Sequence, residues 1–185
     1  MVFASTLYGC DLFSKETDEQ IWKRIQIALN QDTKHLPEDA LSDISKLINR
    51  GSSFAERHEV LDALVMTGAF LLDENANWID KSRARTVYNV IEKGKDDIAV
   101  EALVRNVLQA EHRLQILFLG IKLGIPGSEE KLVNALMSHG DKQMAEDYLN
   151  SGSSKLYDGG KQWAEANGYS ILTGPGSTRA HWGRF

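Results

Sequence analysis

Cysteine, proline and long apolar runs are all scarce in this chain, and each shortage excludes something. Cys10 is the only cysteine, so no intramolecular disulfide can form. A chain of 185 residues buries enough surface to hold a core without cross-links. Three prolines are too few for a proline-rich linker and leave room for long helices. No apolar run approaches the roughly 18 residues that a membrane-spanning helix needs. Strict apolar–polar alternation is nearly absent before residue 169, which argues against a sheet there. Basic residues are also short: 21 Lys and Arg face 26 Asp and Glu, for a net charge of −5. Such a chain repels phosphate, so nucleic-acid binding is disfavoured.

The composition is that of a globular protein, with 42% hydrophobic and 25% charged residues, so whole-chain disorder is excluded. The charge is uneven. Lys155, Lys161, Arg179 and Arg184 outweigh Asp158 and Glu165 from residue 153 onward. The acidic excess therefore lies in the body, and an acidic body suits a partner protein with a basic surface. Leu7-Tyr8-Gly9-Cys10 superficially resembles a lipoprotein cleavage site. No basic segment precedes it and Ser5 and Thr6 interrupt the apolar stretch, so Cys10 is expected to be unmodified and the protein cytoplasmic.

Helical periodicity dominates. Leu41, Ile44, Leu47 and Ile48 form one stripe, as do Val100, Leu103, Val104, Val107 and Leu108, and Leu132, Val133, Leu136 and Met137. Thr17-x-x-Gln20 and Ser53-x-x-Glu56 each fit a capping box. Pro37 followed by Glu38 and Asp39, and Ser128 followed by Glu129 and Glu130, mark two further helix starts. The pattern predicts helices over 16–30, 37–50, 54–72, 76–93, 96–109, 111–124, 128–138, 141–150 and 154–167. The segment from Leu114 to Leu123 is apolar nearly all round and is expected at the centre. Trp22, Trp78 and Trp163 sit in amphipathic helices and are expected in the core. Gly159 and Gly160 either precede the last helix or mark a neighbour's close approach.

Four segments end in glycine, at Gly68, Gly94, Gly124 and Gly152, spaced 26, 30 and 28 residues apart. Two short helices and two turns fill such a period, and a helix-ending glycine serves as a left-handed cap. Helical hairpins that stack side by side build a solenoid. Over residues 37–152 the chain resembles HEAT-like and armadillo-like α-helical repeat proteins. The resemblance implies a protein-binding scaffold and carries over no catalytic residue.

From Gly168 onward the texture changes, and Gly174-Pro175-Gly176-Ser177 breaks any helix. An extended strap or a small hairpin is expected, its Trp182 and Phe185 folding back on the helices or docking a partner. Arg184 stands between these aromatics, and Arg179 precedes them. Arginine and tryptophan are enriched in interface hot spots.

The candidate chemistry is thin. The 174–177 turn with Arg179 and Arg184 could cradle a phosphate, yet it lacks the ending of a P-loop. His58 and Asp62 are four apart, which suits a surface pair better than a metal site of three or four ligands. His139-Gly140-Asp141 falls at an expected turn, and Cys10 has no base beside it. The clusters Glu56, Arg57, His58, Glu59 and Glu111, His112, Arg113 open two expected helices and would line one edge of a stacked array.

The fold expected is all-α: stacked antiparallel hairpins in a short solenoid or an irregular bundle over residues 1–168, irregular over 1–15, with an extended or β-hairpin segment over 169–185 packing on it. The function expected is a non-catalytic interaction module, possessing neither cofactor nor metal. It would bind a basic protein in the manner of an inhibitor or immunity protein. Contact is expected through Glu56, Glu59, Glu111, Arg179, Trp182, Arg184 and Phe185. Other readings are phosphate-ligand binding or an enzyme at the 174–177 turn, and a nucleic-acid-binding repeat. Leu117 lies at the centre of the most apolar segment, so Leu117→Ala is expected to cost about 2–5 kcal/mol in urea unfolding.

Overall fold

A computed structural model describes residues 16–31, 35–72, 78–109, 112–172 and 181–182, with side chains omitted at 78–82 and 181–182. Nine α-helices occur among the described residues: α1 (Asp18–Leu29), α2 (Glu38–Asn49), α3 (His58–Phe70), α4 (Trp78–Glu92), α5 (Asp96–Val107), α6 (Arg113–Leu123), α7 (Ser128–His139), α8 (Lys142–Leu149) and α9 (Ser154–Ala166). The protein is all-α in its body. None of the described helices is long and apolar enough to cross a membrane.

The helix starts show their local causes. Thr17 and Gln20 form the capping box, with the Gln20 N–H donating to Thr17 Oγ1 (3.3 Å) and the Thr17 N–H to Gln20 Oε1 (2.8 Å). Asp141 caps α8 by accepting from the Met144 N–H at 2.7 Å, and Ser153 caps α9 by accepting from the Leu156 N–H. The Ser53–Glu56 pattern behaves otherwise. Those four residues form a separate 3-10 turn, and Arg57 with ψ 139° breaks the chain before α3 begins. The break lets Ala55 turn into the core and puts Phe54 against Trp22, the rings stacked at 5.5 Å.

Pairwise packing follows an alternating order. Helix α1 packs on α2, α3 on α4, α5 on α6, and α8 on α9. Odd-numbered helices also contact in succession, α3 on α5, α5 on α7 and α7 on α9, while α2 meets α4 and α6 meets α8. Helix α6 touches α3, α5, α7 and α8 and buries Ile116, Leu117 and Leu119 completely. Its apolar circumference is not wholly covered, because Phe118 remains 38% exposed. Trp22 and Trp163 are in the core as expected, and the Trp78 side chain lies outside the described set.

The glycines divide by role. Gly124 and Gly152 have the left-handed φ expected beyond helix ends, at 61° and 80°. Gly94 has no such φ, and the interval from Gly68 to Gly94 contains one described helix start, that of α4. Gly68 is inside α3, where a Cβ would lie 3.0 Å from Leu119 Cδ2 and 3.2 Å from Val87 Cγ1. It is a site of close approach by α6 and α4.

Gly159 and Gly160 lie within α9, both buried. A Cβ on Gly159 would sit 2.7 Å from Val133 Cγ2 of α7. One on Gly160 would sit 3.0 Å from Leu149 Cγ and 3.1 Å from the Ala145 carbonyl oxygen, both on α8. Helix α9 is therefore wedged between α7 and α8, which scarcely touch one another. At its end the chain reverses in a Schellman turn: Gly168 has φ 73°, and the Tyr169 N–H donates to the Ala164 carbonyl at 2.9 Å. Tyr169 then stacks on Trp163 at 5.7 Å. Beyond it, Ile171–Leu172 pairs antiparallel with His181–Trp182, Ile171 opposite Trp182.

In an ordinary helix interior Gly→Ala stabilises by up to about 1 kcal/mol. Here the added methyl meets a stiff β-branched side chain, so Gly159→Ala is expected to destabilise by about 1–3 kcal/mol. Val133→Ala in the same chain should recover part of that loss in thermal unfolding.

Candidate functional site

The expected contact residues separate on the structure. Glu56 and Glu59 are exposed and flank the break at Arg57. Glu56 accepts an ion pair from Lys95 Nζ at 2.7 Å, and Glu59 faces Arg57 Nη1 at 3.6 Å. Trp182 is placed by its backbone alone, in the short ladder with Ile171. Glu111, Arg179, Arg184 and Phe185, the 174–177 turn and Cys10 lie outside the described residues. The second expected edge cluster does not form an exposed rim. Arg113 is only 4% exposed: its Nε donates to the Val107 carbonyl at 2.9 Å, and its Nη1 meets Asp147 at 3.3 Å and Asp141 at 3.7 Å. A guanidinium buried among two carboxylates and a helix-end carbonyl is a clamp joining α6 to α8. Burial raises the Asp147 carboxyl above its ordinary value, and Arg113 opposes that shift.

His58 and Asp62 do not pair as read from their spacing. Asp62 accepts from Arg105 Nη2 at 2.8 Å and from Asn106 Nδ2 at 3.0 Å, joining α3 to α5. His139 and Asp141 fall at the α7–α8 turn as expected, Asp141 being engaged as a cap. Among the described residues, no group of three or more His, Cys, Asp or Glu is placed to hold a metal.

Much of the acidic surface is neutralised internally. Asp43, almost fully buried on α2, receives two bonds from Arg24 of α1, Nε to Oδ2 at 2.7 Å and Nη2 to Oδ1 at 2.9 Å, and a third from Lys46 at 2.8 Å. Arg24 also holds Glu16 at 2.5 Å, and Arg50 holds Asp18 at 2.9 Å. Hydrogen bonding from Arg24 keeps the Asp43 carboxyl below its ordinary value of 3.8. Glu130 pairs with Lys155 at 2.8 Å, and Glu129 accepts from the Ser153 hydroxyl. Both acids thus tie α7 to the start of α9, a role their place in a first helical turn did not reveal.

What remains is concentrated at the α4–α5 turn. Glu92, Asp96, Asp97 and Glu101 are exposed. None of them makes a side-chain hydrogen bond or ion pair among the described residues; Asp97 acts on Lys95 only through its longer-range field. Reading Asp96 and Asp97 as helix-start acids missed this grouping. The signal available was four acids in ten residues against two lysines, Lys93 and Lys95.

Two depressions adjoin these acids. One is a hollow of about 220 Å³ between the end of α2, the 3-10 turn and the α4–α5 turn, walled by Ile48, Ala55, Leu61, Val90 and Ile98 with Glu56, Lys93 and Lys95 at its mouth. The other is a shallow groove of about 490 Å³ between α5 and α7, lined by Glu101, Val104, Arg105, Leu108, Ala135 and His139 among others. Leu108 is 40% exposed there. Compared with known proteins, the chain matches no family model, no curated protein and no solved structure.

Asp43 gives the pH dependence its sign. Its folded-state pKa is depressed, so its contribution is present above the ordinary carboxylate value of 3.8 and is lost as pH falls through the lower folded value. Asp43→Asn is expected to cost about 1–2 kcal/mol at neutral pH, the exposure of Arg24 keeping it at the low end. In urea unfolding at several pH values the gap between variant and parent should shrink below the carboxylate range.

Proposed function

We propose that this chain is a non-catalytic protein-interaction module, a short α-solenoid of stacked helical hairpins that binds a basic protein partner through an acidic helical surface. The alternating contacts of odd and even helices support the solenoid reading, since each hairpin in such an array touches only its neighbours. The observation that carries the functional reading is the unpaired set Glu92, Asp96, Asp97 and Glu101 beside two apolar depressions. Elsewhere Glu16, Asp18, Asp43, Asp62 and Glu130 are held by internal cations and are weak candidates for a partner. Unpaired acids steer a cationic surface into place, and an adjoining apolar patch supplies what charge alone does not. Blocking a basic partner's own anionic ligand site is the inhibitor or immunity role that such a surface suits. The short C-terminal ladder, read as a β-hairpin, packs on α9 through Tyr169 and adds a second contact edge.

The test is capture of a stoichiometric protein from native lysate. A basic partner is expected, released in high salt. Asp97→Lys combined with Glu101→Lys should slow association about tenfold or more without changing the melting temperature. Retention on heparin by the parent protein, or capture indifferent to salt and to both reversals, would contradict the proposal.

A further inference from the structure

The hollow under the α4–α5 turn has walls and a mouth of different chemistry. Leu61, Val90 and Ala55 form a floor no more than 6% exposed, and Ile48 and Ile98 are half-buried walls. No aromatic ring and no buried charged side chain lines it. At about 220 Å³ it has room for roughly seven groups of water or methylene size, more than one branched aliphatic side chain requires. Two helix ends shape it. The α2 chain reverses at Gly51, where φ is 66° and the Ser52 N–H donates to the Leu47 carbonyl at 3.0 Å. The α4 chain turns where the Gly94 N–H meets the Ile91 carbonyl at 3.0 Å. Both turns are hydrogen-bonded, so the hollow is formed in advance of any ligand.

The charges around the mouth are unequal. Glu56, Glu92, Asp96 and Asp97 stand on or beside it, against Lys93 and Lys95. Lys95 is held by Glu56 at 2.7 Å. Both ends of that pair are well exposed, at 62% and 42%, and an exposed pair contributes little to stability, so a competing cation can exchange into it. An anionic ligand would meet a net negative mouth, whereas a cationic segment would meet a complementary one.

We infer that this hollow is the anchor site for the partner: it takes one aliphatic side chain from a basic segment whose flanking lysines or arginines pair with Glu56, Asp96 and Asp97. The inference rests on the interaction reading above and assigns it a specific contact. A central apolar anchor ringed by charge is the arrangement in which interface energy concentrates.

The probes are three synthetic peptides, Lys-Lys-Leu-Lys-Lys, Lys-Lys-Ser-Lys-Lys and Glu-Glu-Leu-Glu-Glu, titrated into the whole protein. Methyl resonances of Ile48, Leu61, Val90 and Ile98 are followed. The leucine-centred basic peptide should shift these four methyls saturably, with affinity at least tenfold above the serine-centred one, and the acidic peptide should leave them in place. Ile98→Trp or Ile48→Phe, checked by thermal melting, should abolish the preference for leucine while retaining weak binding that salt removes. Equal affinity for the two basic peptides, with shifts confined to amides of the α4–α5 turn, would sink the anchor and leave the acidic-surface reading standing. Binding of the acidic peptide at these methyls, or of none of the three, would overturn both. If neither filled variant folds, the leucine-against-serine comparison on the parent protein decides alone.

Discussion

Close approach of helices at positions without a side chain is the constraint on which the C-terminal half of this molecule depends. Helix α9 presents Gly159 to Val133 of α7 and Gly160 to Leu149 and the Ala145 carbonyl of α8. Successive residues on a helix are about 100° apart around its axis, so adjacent glycines clear space toward two different neighbours. The wedge this permits buries Leu156, Trp163 and Ala164. It also brings Ser153 to Glu129 and Lys155 to Glu130. Gly68 plays the corresponding part where α3 meets α6 and α4. Tight packing of this kind is intolerant of added volume, because protein interiors have few voids to absorb it.

Electrostatic pairing has a second organising role. Asp43 with Arg24 fastens α1 to α2, Asp62 with Arg105 and Asn106 fastens α3 to α5, and Arg113 with Asp147 fastens α6 to α8. Each joins helices well separated in the chain or consecutive across a turn, and each withdraws an acid from the surface field. The remaining acids gather around the α4–α5 turn, where they face solvent beside apolar walls. The surface available to a cationic protein is thus smaller and more local than the net charge of −5 suggests.

Helix identity was legible in the sequence because periodicity and caps are local. The stripe Val100, Leu103, Val107 on α5 faces the core as its spacing required, and the Thr17 capping box forms as written. The errors have tertiary causes. Ser53 and Glu56 have the right residues for a cap, yet Phe54 gains more by stacking on Trp22 and the chain breaks at Arg57. Arg113 reads as a surface cation in a charged triplet, but its partners, Val107, Asp141 and Asp147, approach only after folding. Glu129 and Glu130 read as first-turn acids because α9 lies more than twenty residues away along the chain. The hollow was invisible for the same reason: its walls come from α2, α3, α4 and α5 together.

The wedge also bears on how the chain is made. During synthesis α7 and α8 emerge before α9, and these two touch each other little without it. Until the residues through Ala166 have cleared the ribosome, Val133, Ala145 and Leu149 lack the backbone against which they finally pack. The earlier helices can close vectorially as they appear, whereas the α7–α9 unit must wait and then lock in a single step.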